Sequence, residues 1–97
     1  MTSEMIVQSG NGFRIESPVT MATVPQLIAE SDALFNHGEV TIDFGGVTEV
    51  DSSAVSLILN WLRDGKEHER HFRFTNLPEN LKSLAAVYGV LDLIPQS

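Results

Sequence analysis

The chain has 97 residues and a formal net charge of −7, from 13 acidic and 6 basic residues. That length makes one domain, and the 42% hydrophobic share is enough for one packed core but leaves little room for a deep private active site. The few Lys and Arg, spread from Arg14 to Lys82, argue against nucleic acid and against an anionic membrane, both of which need clustered cations.

In chain order, Met5-Ile6-Val7-Gln8 reads as a short strand closed by Ser9-Gly10-Asn11-Gly12, a turn whose residues tolerate positive φ. Phe13 to Glu16 alternates as a half-buried strand, and Ser17-Pro18 ends it. A helix is expected from about Thr23, its N-cap, to Asn36, with Val24, Leu27, Ile28, Leu34 and Phe35 inward and Glu30 and Asp32 outward. Gly38 supplies its closing turn, with His37 a helix-end histidine beside it. Val40 to Phe44 is a β-branched strand, and Ser52 to about Lys66 a second helix. His71 to Thr75 follows as a strand with Phe72 and Phe74 on one face. A third helix from Leu77-Pro78-Glu79 carries Leu81, Leu84, Ala85 and Tyr88 at helical spacing and stops at Gly89. The apolar tail from Val90 to Ile94 is expected to dock. The fold class is therefore α/β in the order β-β-α-β-α-β-α: one domain over residues 1–97, with parallel pairing, right-handed crossovers and an antiparallel edge from the first hairpin.

Most catalytic signatures are absent. The chain has no cysteine, no Gly-rich phosphate loop and no nucleophile elbow. His68 and His71 are spaced H-x-x-H across a helix end, so no metal site is expected; nor is any cofactor. Asp43, Glu49 and Asp51 flank one strand-to-helix connection but lack a His or Lys partner for acid–base work. No stretch approaches the ~18 apolar residues of a membrane span, and no basic segment followed by an apolar run suggests a leader.

What remains is Asp51-Ser52-Ser53-Ala54-Val55, a helix start with two hydroxyls beside an acid. Asp51 and Ser52 are both suited to capping. The free N–H groups and the helix dipole also favour an anion there, so a phosphoryl group on Ser52 is sterically and electrically reasonable. On the same helix, Val55, Ile58, Leu59 and Leu62 form one face, and Ala54, Leu57 and Trp61 widen it to an arc of about 200° where about 100° suffices. Either neighbouring helices cover the excess, or Leu57 and Trp61 form an exposed docking patch beside Ser52.

The run Val40-Thr41-Ile42-Asp43-Phe44, with Val47-Thr48-Glu49-Val50-Asp51-Ser52-Ser53-Ala54-Val55, resembles the signature of the STAS family, the sulfate-transporter and anti-sigma-factor-antagonist domains. The ending Leu84-Ala85-Ala86-Val87-Tyr88-Gly89-Val90 with Ile94-Pro95 is similar to the MlaB-like group within it. The resemblance implies a mixed sheet of about four strands with packed helices. It also implies a non-catalytic cytoplasmic subunit, peripheral to the inner membrane, that binds the ATPase of a phospholipid-transport ABC transporter. By position, Asp51, Ser52 and Ser53, with Leu57 and Trp61 nearby, would meet that partner. In the anti-sigma antagonists the residue matching Ser52 is phosphorylated, which leaves an alternative: a phosphorylation switch facing an anti-sigma factor kinase. Two departures weigh against the switch. Ala54 stands where Gly is usual, with Ser56 at a later small position, and Ser17-Pro18-Val19-Thr20 replaces an acid-containing element.

Overall fold

The structure, a computed structural model, describes residues 4–35 and 38–96; the expected roles of Asn36 and His37 lie outside these. Strands β1 (Ile6–Ser9) and β2 (Gly12–Ile15) form the expected antiparallel hairpin, turned at Gly10, whose φ of +59° a side chain would resist. Strand β3 (Gly38–Asp43) pairs in parallel with β2 and with β4 (Arg70–Thr75), giving the mixed four-stranded order β1-β2-β3-β4. Helix α1 (Val24–Leu34) crosses from β2 to β3, α2 (Ser52–His68) from β3 to β4, and α3 (Glu79–Val87) follows β4.

The helices share one face of the sheet. Alternation turns Ile15, Val40, Ile42, Phe72 and Phe74 into that face, all 5% exposed or less, while Arg14, Asp43, His71 and Arg73 take the other. Helix α2 lies close on β4, and Gly65 is the reason: a Cβ there would stand 2.6 Å from the Arg70 carbonyl oxygen. The tail docks as expected. Ile94 is buried, and the Phe74 N–H donates to the Pro95 carbonyl at 2.9 Å.

Local details differ from the sequence-based expectation. Thr23 holds the N-cap position of α1 as expected, but its side chain bonds no helix N–H: its Oγ1 accepts from the Thr20 N–H at 3.0 Å and donates to the Pro18 carbonyl at 2.8 Å, tying down the loop before the helix. Glu30 does not simply face water, because its carboxylate accepts the N–H groups of Met5 and Ile6, both at 3.0 Å. Ile6 begins the edge strand β1 and Met5 precedes it, and among the described residues β1 has no sheet neighbour beyond it. Burial raises the Glu30 pKa, yet the bonds from Ile6, Gln26 and Met5 outweigh it and hold the carboxyl below its ordinary range. Leu34 and Tyr88, expected inward, are 38% and 56% exposed. Helix α1 instead buries the polar Ser31, for a reason that lies in α2. Helix α2 itself runs two residues past Lys66 and closes where Glu69 adopts a left-handed conformation.

Candidate functional site

The start of α2 is clamped from two directions by one carboxylate. Asp51 is the N-cap: its Oδ1 accepts the Ser53 N–H at 2.8 Å, satisfying one of the donors that a first turn leaves free. Its Oδ2 accepts the Met21 N–H at 3.1 Å, from the loop that precedes α1. That loop is also stitched to the strand end, with the Val19 N–H donating to the Glu49 carbonyl at 2.9 Å and the Asp51 N–H to the Val19 carbonyl at 3.3 Å. The Met21 N–H does most to lower the Asp51 pKa; desolvation opposes it, and the Ser53 bonds add to it. The carboxylate is therefore ionised wherever the fold is intact near neutral pH.

Ser52 is the first residue of the helix, exposed, with no side-chain hydrogen bond among the described residues. Capping belongs to Asp51 alone, so the Ser52 hydroxyl is free for other use. Beside it lies a shallow groove of about 400 Å³ between α2 and the end of α3, lined by Ser52, Ser53, Ser56, Leu59 and Tyr88 over Val55. Ala54, at the position where the family motif has Gly, is 0% exposed and points into the core, so its methyl leaves this surface unchanged.

The expected apolar docking patch is corrected. Leu57 and Trp61 are each 1% exposed and belong to the core. The indole of Trp61 stacks on Phe72 and Phe74, with interplanar angles of 13° and 17°. Its Nε1–H donates to Ser31 Oγ at 3.0 Å, and Ser31 donates onward to the Ile28 carbonyl at 2.8 Å. Both buried polar groups are thereby satisfied. The wide apolar arc of α2 is covered by α1 on one side, α3 on the other and β4 beneath. Only Leu59 and Leu62 stay half-exposed at its margin.

Asp43 and Asp51 do not converge on a common partner. Asp43 accepts from Asn76 Nδ2 at 3.0 Å and the Gly45 N–H at 2.7 Å, with Arg14 at 3.9 Å. Asn76, Gly45 and Arg14 together lower its pKa against partial burial. Glu49 is exposed. His71 is exposed on β4, whereas His68 ends α2 with Nδ1 2.9 Å from Asp64 Oδ1. Asp64, Glu67 and His68 bring potential ligand atoms within 4.8 Å of one another. Asp64, however, is already held by Arg70 Nη1 at 2.6 Å, which makes it a poor metal ligand.

A mixed sheet with helices on one face and a carboxylate-capped helix start bearing an unengaged serine defines a small α/β binding module. Residues 8–95 match the family described as "Mlab, STAS domain", and the chain belongs to this MlaB-type STAS domain family. Domains of this family are in general non-catalytic and mediate protein–protein interaction. No curated protein matches the chain. Among the described residues no helix is long and apolar enough to cross a membrane.

Proposed function

We propose that this STAS domain is an accessory subunit that docks on, and supports, the ATPase of a phospholipid-transport ABC transporter. It would be held in the cytoplasm at the inner membrane through that partner. The observation that carries this reading is the exposed, unengaged Ser52 on a rigidly clamped helix start, within a family of MlaB type. The contact comprises Asp51, Ser52 and Ser53, and the groove beside them extends it through Ser56, Leu59 and Tyr88. Leu57 and Trp61 contribute from beneath, by fixing the helix. An aromatic side chain 56% exposed beside a shallow groove is the kind of anchor that interfaces use.

The test is co-purification of the tagged chain with the ATPase subunit of such a transporter. Ser52→Glu adds a charge beside Asp51 and is expected to abolish capture, and Tyr88→Ala to weaken it. Retention of full binding by both variants sinks the proposed interface. The alternative, a phosphorylation-switched anti-sigma-factor antagonist, is favoured by the accessible hydroxyl at a helix N-terminus, where a phosphate is well placed. Intact-mass measurement after incubation with a cognate serine kinase decides it, and an unmodified Ser52 counts against it.

A further inference from the structure

Four of the six Lys and Arg are brought near one another by the fold, while Arg14 lies on β2 and Lys82 on α3. Arg63, Lys66, Arg70 and Arg73 fall at the far end of α2 and on β4. Between α2, β4 and the tail runs a groove of about 1110 Å³, lined by Arg63, Lys66, Arg70 and His71 with Leu62 and Leu93 as apolar walls. Leu93 is 62% exposed. Arg70 is answered by Asp64 at 2.6 Å and donates to the Phe35 carbonyl at 3.0 Å. Among the described residues, Arg63 and Lys66 are exposed and have no ionic partner, and Glu69 is the one carboxylate lining the groove. In a chain of net charge −7 this is a local inversion of sign.

The groove also exposes a sheet edge. Gly38 N–H donates to the Glu69 carbonyl and Phe44 N–H to the Thr75 carbonyl, so the odd-numbered residues of β4 face β3; Phe74 N–H turns outward to Pro95. Phe72 has the parity of Phe74, so its N–H and C=O also point outward. The tail cannot continue the ladder to it, because the next rung would need an N–H on residue 95, and Pro95 has none. Positive side chains and proline are common protection for an edge. Here, however, Arg63 and Lys66 stand on the helix across the groove, where protecting the edge does not require them.

We infer that the α2–β4–tail groove docks an extended, acidic protein segment: its backbone pairs with the open edge at Phe72, its apolar side chain rests on Leu62 and Leu93, and its carboxylates meet Arg63 and Lys66. The concave shape and the open strand edge favour a polypeptide over a flat lipid surface. This site goes beyond the Ser52 contact and does not depend on it.

The test is to pan a random dodecapeptide display library against the full chain and against Arg63→Glu/Lys66→Glu. Both changes are on exposed positions, and an unchanged melting temperature verifies folding. Wild type is expected to enrich peptides that alternate Asp or Glu with apolar residues, and the double variant to lose them and select Lys or Arg instead. An enriched peptide should shift the backbone resonances of Gly65, Lys66, Phe72 and Leu93 and leave Ser52 unmoved. No enrichment, enrichment indifferent to charge, or shifts centred on Ser52 overturn the proposal, as does binding of phosphatidylglycerol vesicles without any acidic peptide.

Discussion

The two ends of α2 solve different problems with the same helix. At its start, one carboxylate is shared between Ser53 and Met21, so a small polar surface is held rigid with its serine free. At its far end the surface is wider, with apolar walls and cationic side chains, and Asp64 there answers Arg70 at 2.6 Å and His68 at 2.9 Å. The first end suits the proposed close, shape-dependent contact, which one added charge at Ser52 is expected to disrupt. The second has the chemistry of a tolerant groove. The lesson is that net charge describes neither end: a strongly acidic chain keeps a neutral-to-acidic surface and a basic one on one helix.

The comparison requires α2 to be rigid between its ends, and the largest predicted effect tests that. Trp61→Ala removes an indole packed on Phe72 and Phe74 and is expected to cost about 3–5 kcal/mol, seen as a large fall in denaturant midpoint. Any loss of partner binding in this variant should track the unfolded fraction, since the side chain is not at the surface. Next comes Gly65→Ala, whose methyl must meet the Arg70 carbonyl at 2.6 Å and the Phe72 ring at 3.1 Å. A loss of about 1–3 kcal/mol is expected, with the far groove distorted and the Ser52 end intact. Amide shifts confined to residues near β4 would bear this out.

A smaller effect is predicted for Asp51→Asn, and it carries a pH signature. Asp51, Asp43 and Glu30 all have folded pKa values below the ordinary range. Their contributions are fully present above the ordinary carboxylate pKa of about 4 and are lost as pH falls through the lowered folded values. Melting temperature should therefore decline below about pH 4. Asp51→Asn should sit lower near neutrality and decline less steeply in acid; a curve parallel to wild type would contradict the cap. The smallest effect is Ser52→Ala, expected to change stability by less than about 0.5 kcal/mol because the hydroxyl is exposed and unengaged. A markedly destabilised Ser52→Ala in chemical denaturation would show that the serine is structural.

Much of this was legible in the sequence. Strand and helix order followed from alternation and helical spacing, and the Asp51-Ser52 start from the residue types that begin helices. The identity of the buried faces was less legible. The wide apolar arc of α2 has two readings until its neighbours are known, and the groups that settle it are distant: Ser31, thirty positions from Trp61, and Phe72 and Phe74 on another strand. Thr23 shows the same limit at short range, since a good capping residue bonded the preceding loop instead. The cationic groove was hidden because Leu93 and Pro95 reach it only when the tail folds back on β4.

The hydrogen bond from Trp61 to Ser31 has a practical side. The chain contains one tryptophan, so its entire indole emission arises from a single fluorophore in a buried aromatic cage. Partners that merely touch either end of α2 will leave that emission unchanged, while any ligand that loosens the packing between α1 and α2 will shift it to the red. Without a label, the protein distinguishes being bound from being deformed.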